Sequence, residues 1–405
     1  MSDKTKRNLK IIGSYFYRIL LGAFIGVICG GIGALFSRAI QFVTALRGEH
    51  GWVLYLLPLG GILTVLIYKI CKTQKIGTSN ALRSAVEEKE PPVTLFPAIF
   101  SGTLISHFLG ASAGKEGATL QLGSVVSSVI SKIISVDEET RRILAVCGMG
   151  GMFSAVFGTP VGACVFAIEI LKKPKFGLKA SLPTLVSCVS SFFVAEFLGA
   201  HAERFSLTSL PAINFDSLWK TAVLGVAVGV VALVFCTLLH QGEKVIDKII
   251  KNPFIKVVIG AAAVILLTHI VGNNDYNGGG IFVIERIFES ETVHPAAFLL
   301  KIIFTVISVA AGFKGGEIVP SLFIGATSGG VFSQVLGLSA SFGAATGMAA
   351  IFAAVTNCPI ASFVMCMEMM GAEGALFFLI SSVIAHLVAK KVCLFSAKPC
   401  AEESD

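Results

Sequence analysis

Two short stretches hold carboxylates where an anion could sit. The first is Gly114-Lys115-Glu116-Gly117-Ala118. The second is Lys314-Gly315-Gly316-Glu317-Ile318-Val319-Pro320. Each lies between long apolar runs, and charge in hydrocarbon is costly, so an ionisable residue there marks a functional site. The glycines imply a helix break, with Glu116 opening the next helix. A helix start offers free N–H groups and the positive end of the dipole, and both suit anions. Ionised, Glu116 would satisfy those donors and exclude a soluble anion. Protonated, it loses that attraction and can swing out. Proton and anion then compete for one place, which is a coupling free energy between two ligands. The alternative is a carboxylate that only caps its own helix.

A third break, Gly77-Thr78-Ser79-Asn80, also sets small residues before a helical run. If the three breaks point inward, their N–H groups converge and form an anion site without a buried full positive charge, which would bind too tightly for turnover. Glu317 at the second-half break would cap its helix, face the anion or relay protons. Lys115 and Lys314 read as rim or snorkelling residues. Glu169 and Glu368 close short helices and read as solvated ends, with Glu169 also a candidate for the proton path. His107 reads as a hydrogen-bonded packing histidine. A nucleophile needs a nearby base, and His107 with Ser112 is the only tempting pair.

The elements that position these residues follow from composition. The chain has 405 residues, 54% hydrophobic and 14% charged, with a mean hydropathy of +0.82. A soluble domain carries about 25% charged residues, so a polytopic α-helical membrane protein is expected. Apolar runs of spanning length recur, and several others are too short to cross alone. Broken helices are tolerated at membrane depth where they line a cavity or are buried in protein. Runs are expected at about 9–43, 52–71, 93–112, 117–135, 141–157, 179–198, 218–240, 254–272, 294–313, 317–335, 340–356, 358–370 and 373–392. A short helix is expected from Asn80 to about Glu88, with Pro91-Pro92 stopping it.

Lys4, Lys6, Arg7 and Lys10 at one end, and Lys390, Lys391 and Lys398 at the other, favour cytoplasmic termini. The first apolar run is too long for a cleavable signal. The net charge of +7 suits a rim facing anionic lipid, and no basic stripe with aromatics suggests nucleic acid. The ten cysteines form no Cys-x-x-Cys pair and read as buried free thiols, so no metal or cofactor is expected.

The chain also repeats itself. Residues 151–160, GMFSAVFGTP, align with 350–359, AIFAAVTNCP, so that Phe, Ala, Val and Pro recur at one offset. Glu169 then meets Glu368, and Glu116 meets Glu317 at nearly that offset. Repeats with broken helices at matching positions point to a substrate site between two halves.

Gly114-Lys115-Glu116-Gly117, followed two hundred residues later by the Gly-rich Glu317-Ile318-Val319-Pro320, resembles the CLC family of anion channels and transporters. The similarity spans nearly the whole chain. It implies an all-α membrane fold of inverted repeats with broken and re-entrant helices, and a homodimer with one anion pathway per subunit. Residues 1–405 would form a single transport domain, with pseudo-repeats at about 75–200 and 280–395 and no regulatory CBS domain. Glu116 would be the gating glutamate. The anion would meet Gly77, Thr78, Ser79, Asn80, Gly114, Lys115, Gly117, Gly316, Glu317, Ile318, Val319 and Phe395. Glu116, Glu317 and Glu169 would carry protons.

Some positions depart from the chloride-type pattern. The Gly77-Thr78-Ser79-Asn80 break lacks Gly-Ser-Gly-Ile-Pro, and Ile318 replaces Phe at the Gly316–Pro320 break. The inner proton-transfer glutamate falls at Ile170, and Phe395 is the candidate for the missing pore tyrosine. A glutamate at position 317 resembles the fluoride/proton antiporter branch, although Val319 stands where that branch more often has Thr. The expected function is halide/proton antiport in the plasma membrane of a prokaryote, with fluoride ahead of chloride. A chloride-selective transporter or passive anion channel of the same fold is the alternative.

Overall fold

The apolar runs form helices because they lack internal polar breaks and because each end carries its own stop. In the computed structural model the described residues are 3–74, 76–77, 90–172, 174–207, 209–390 and 392–394. The expected helix from Asn80 to Glu88 lies outside them, as do Thr78, Ser79, Asn80, Phe395 and Lys398. Among the described residues there are fifteen α-helices and no strand. They are α1 (Asp3–Glu49), α2 (Leu57–Ile70), α3 (Leu95–Leu109), α4 (Glu116–Ile134) and α5 (Glu138–Phe157). Next come α6 (Pro160–Glu169), α7 (Pro174–Phe197), α8 (Phe215–Ile249), α9 (Pro253–Val271) and α10 (Ile281–Ser290). The last are α11 (Ala297–Ala311), α12 (Ile318–Val335), α13 (Ala340–Thr356), α14 (Pro359–Met370) and α15 (Ala375–Ala389). Among the described residues, eight spans are long and apolar enough to cross a bilayer. The helix α10 was not expected from the sequence. Its Glu285, Arg286 and Glu289 dilute the apolar signal, although Val283, Ile284, Ile287 and Phe288 are buried on one face.

The described residues divide into two compact units. One draws on residues 1–38, 77–96 and 119–203, and the other on 39–76, 97–118 and 204–405.

In the first unit, helices approach through small residues. Gly22, Gly26 and Gly30 of α1 lie against the backbone of Pro183, Ser187 and Ser191 of α7. Spacing of four on both helices keeps the contacts in one seam. A Cβ on Gly26 would stand 2.3 Å from the Ser187 carbonyl oxygen. Hydroxyls then tie α7 to α5: Ser187 donates to the Cys147 carbonyl at 2.9 Å and Ser191 to that of Gly151 at 2.6 Å. Outside the apolar spans, Glu90 pairs with Lys132 at 2.5 Å and Arg141 at 3.0 Å.

In the second unit, α12 and α13 meet through Gly325 against Gly347 and Gly329 against Gly343. Leu224, Phe342 and Phe377 form a buried cluster, the two rings edge to face at 5.0 Å. Gly225 and Gly229 of α8 seat on Ser381 and Ala385 of α15.

The aligned repeat segments share a backbone. Gly158 and Asn357 both end their helices in the left-handed region, at φ 70° and 60°, where Gly and Asn are the residues that fit. Thr159 and Cys358 follow at φ −122°, ψ 75° and φ −129°, ψ 75°, each ahead of a proline that opens the next helix. Proline suits that first position because its missing N–H would be unpaired there anyway.

Candidate functional site

The two carboxylate-bearing breaks come together within the second unit. The Gly114 N–H donates to the Gly316 carbonyl at 2.6 Å, and the Gly316 N–H to the Gly114 carbonyl at 2.7 Å. This two-residue antiparallel bridge satisfies backbone groups that the broken helices leave open. It also requires glycine. A Cβ on Gly316 would lie 2.4 Å from the Gly117 nitrogen, and one on Gly114 would collide with the Glu116 carboxylate.

The bridge sets Glu116 against the start of α12. Glu116 is the first residue of α4 and is fully buried. Its Oε2 accepts the N–H of Val319, on the first turn of α12, at 3.1 Å. The carboxylate therefore occupies the donor end of a helix two hundred residues away. The four N–H groups opening a helix need acceptors, and a negative charge there is favoured. Such a position can take a carboxylate or a small anion, one at a time.

Glu317, at the N-cap of α12, has helical dihedrals and makes no side-chain capping bond. Capping is thus removed from its three expected roles, and the residue is half-buried. Ile318 and Val319 are buried. Lys115 is only 7% exposed, which corrects its reading as a rim residue. Lys314 is half-buried, with Nζ 4.8 Å from the Tyr68 ring centre. Gly117 is buried beside Glu116, and Gly77 is exposed in irregular backbone. Glu169 is half-buried at the last residue of α6.

The segment before Glu116 is anchored by hydroxyls. Ser112 receives a backbone tie, its N–H donating to Ser308 Oγ at 2.9 Å, and its hydroxyl pairs with Thr305 at 2.9 Å. His107 directs Nδ1 to the Thr103 carbonyl at 3.0 Å. His107 and Ser112 therefore have separate partners and make no nucleophile–base pair.

Sequence reasoning passed over a second set of buried polar groups beside this segment. Lys301, wholly buried on α11, donates to the carbonyls of Tyr276 at 3.1 Å and Gly278 at 2.6 Å. Its Nζ lies 5.0 Å from the Phe323 ring centre. Arg47 donates to the His107 carbonyl at 2.6 Å, and Asn277 to that of Gly110 at 3.0 Å. A lysine in the middle of the apolar run Ala297–Ala311 was the available signal, since such a residue needs a buried partner.

A family model described as "Voltage gated chloride channel" matches residues 59–390. The chain belongs to the CLC family. Its CLC fold agrees with a solved CLC-type fluoride/proton antiporter at a TM-score of 0.90 and 28% identity, over 94% of this chain and 97% of that one. A slow cyanobacterial Cl−/H+ antiporter shares the fold at a TM-score of 0.80 and 22% identity, over 92% and 94% of the two chains. Among curated relatives, a chloride/fluoride channel protein of Pseudomonas syringae pv. tomato is 29% identical over 94% of this chain and 86% of its own length. An H+/Cl− exchange transporter of Vibrio vulnificus is 24% identical over 93% and 86%. This CLC protein is accordingly a multi-pass membrane protein, its broken helices buried in protein.

Proposed function

We propose that this CLC protein exchanges a halide for protons, with fluoride favoured over chloride and Glu116 as the gate. The observation that carries the reading is the Glu116 carboxylate accepting the Val319 N–H at the start of α12. Protonation of Glu116 removes its charge and frees that donor, so a halide can take its place. Return of the carboxylate expels the halide and releases the proton. Each halide that passes then requires a change in the protonation of Glu116.

Fluoride is small and strongly hydrated, so it needs strong donors in place of its water shell. Backbone N–H groups at Val319, with Thr78, Ser79 and Asn80, supply that chemistry. Glu317 at the paired break matches the expectation for a fluoride exchanger. The solved fluoride/proton antiporter at 28% identity supports the same branch. Lys115, Gly117, Ile318 and Phe395 complete the proposed anion path, and Glu317 and Glu169 the proton path. We also propose a homodimer in a prokaryotic plasma membrane with both termini cytoplasmic. Cross-linking in native membranes tests the first point and protease protection the last.

The deciding experiment uses proteoliposomes with a halide gradient and a pH monitor. The unmodified protein is expected to drive protons uphill, and Glu116→Gln to pass halide without them. Uphill proton movement by Glu116→Gln would sink the reading. A passive channel is favoured by one feature, the buried apolar Ile170 where a chloride-type exchanger would carry an acid. A reversal potential that ignores pH would establish that alternative.

A further inference from the structure

The side chain of Val319 packs against the turn of residues 274–280, which leads into α10. Asn273 and Asn274 at its outer end are exposed, whereas Tyr276, Asn277 and Gly278 are buried. Gly278 and Gly280 have φ of 61° and 83°, where a side chain is strained and glycine is at home. Gly279, half-buried between them, is not among the positive-φ residues, so its φ does not call for glycine. What it lacks is room on one side. A Cβ on Gly279 would stand 3.1 Å from Cγ1 of Val319. Among the described residues Val319 is the only one that such a Cβ would meet within 4 Å.

The turn has little freedom to retreat. Lys301 holds the carbonyls of Tyr276 and Gly278. Asn277 donates to the Gly110 carbonyl at 3.0 Å and to Thr268 Oγ1 at 3.2 Å. A Cβ on Gly280 would lie 2.6 Å from the Phe323 ring, so the turn already rests on α12. Val319 has little freedom either. It is 2% exposed, and a helical valine has one strongly preferred rotamer. Three residues before it, Gly316 is tied to Gly114 by both bridge bonds. A methyl group added at position 279 is therefore relieved by a shift of residue 319 itself. The N–H that Glu116 accepts at 3.1 Å moves with it. That bond is already at the long end of ordinary N–H···O distances, so a small shift weakens it.

We infer that Gly279 is a positioning residue for the halide. By carrying no side chain it lets Val319 hold its N–H where the anion needs it, and so sets the preference for fluoride. The inference rests on the reading that a halide takes the place of the Glu116 carboxylate at that donor. Gly279 acts through Val319 and touches no ion. Fluoride depends most on the donor, because a small, strongly hydrated ion gives up the most water on entry. Chloride holds its water less tightly and loses less when one donor is displaced.

The test measures fluoride and chloride efflux from proteoliposomes as a function of halide concentration. Gly279→Ala is expected to raise KM for fluoride roughly fivefold, as a misplacement of a few tenths of an ångström does, with the maximal rate kept. KM for chloride is expected to rise less, so the fluoride-to-chloride ratio of kcat/KM falls. Val319→Ala removes the atom that the added methyl meets. In that background Gly279→Ala is expected to leave the ratio where Val319→Ala alone puts it, a coupling that a double-mutant cycle reads directly. Gly31→Ala, where a Cβ meets nothing within 4 Å, is expected to match the unmodified chain. An unchanged ratio in Gly279→Ala overturns the inference while leaving the Glu116 reading intact. Equal losses for both halides, or a change of ratio that persists in the Val319→Ala background, show a structural role and overturn it too. Uphill proton movement by Glu116→Gln overturns both. Should Gly279→Ala alone not fold, Val319→Ala and the double variant carry the comparison: equal ratios support the contact and unequal ones overturn it.

Discussion

Lys301 shows how far a single residue's chemistry reaches. Its ammonium replaces lost water with two carbonyls on the Asn274–Gly280 turn and with the Phe323 ring face. That turn also holds Gly110 through Asn277, four residues before the bridge at Gly114. Lys301→Met keeps the volume but leaves the Tyr276 and Gly278 carbonyls without that donor. A buried unsatisfied acceptor costs about 1–3 kcal/mol, so the variant is expected to lose roughly 2–4 kcal/mol, read as an earlier thermal transition in detergent. An unchanged transition would show that the turn holds itself. Glu116 was legible in the sequence because a charge beside glycines in an apolar run is expensive. Its donor was not, because Val319 is two hundred residues away and only the fold brings them together. Lys301 was equally expensive and equally visible. What the sequence did not show was the turn of backbone carbonyls that satisfies it.

Elements depend on close approach. The α1–α7 seam has no room for a side chain at Gly26, where a Cβ would stand 2.3 Å from a carbonyl oxygen. Gly26→Val must push backbones apart, and overpacking of this kind costs about 1–3 kcal/mol. A lower yield of folded protein and an earlier unfolding transition are expected, with Gly13→Val, where nothing lies within 4 Å, as the unaffected control. A second test concerns Glu90, which joins the segment before α3 to Lys132 of α4 and Arg141 of α5. Burial alone would raise the Glu90 carboxyl, but the Lys132 hydrogen bond, its charge and that of Arg141 outweigh it and hold the group below its ordinary value. A lowered folded value means the contribution is present above the unfolded value of about 4.3 and is lost as pH falls below it. The pair is partly solvated, so less than about 1 kcal/mol is expected. Unfolding temperatures of Glu90→Gln and the unmodified chain should therefore differ above that value and converge only as pH falls below it, through the lowered folded value. The long apolar helices were readable from hydropathy alone. The helix α10 was not, because a ten-residue helix with three charges has an apolar face but little net hydropathy.

At the scale of the whole molecule, one site shared by two ligands has a consequence for equilibrium binding. If a halide can bind only when Glu116 leaves the Val319 donor, protonation of Glu116 and halide binding must assist each other. Linkage makes the effect reciprocal: lower pH raises halide affinity, and saturating halide raises the affinity of Glu116 for its proton. Halide that binds the folded state stabilises it by RT ln(1 + [L]/Kd), about 2.7 kcal/mol at a hundredfold excess over Kd. The thermal transition of the detergent-solubilised protein should thus rise with fluoride, and rise more at pH 5 than at pH 8. Chloride should give the smaller shift if backbone N–H donors select the ion by replacing tightly held water. In Glu116→Gln the side chain carries no charge at either pH, so its fluoride shift should be large and the same at both. A fluoride shift in the unmodified chain that ignores pH would mean that halide and carboxylate occupy separate places. The α12 start would then be only the anchor of Glu116, and a halide path would have to be sought elsewhere in the fold.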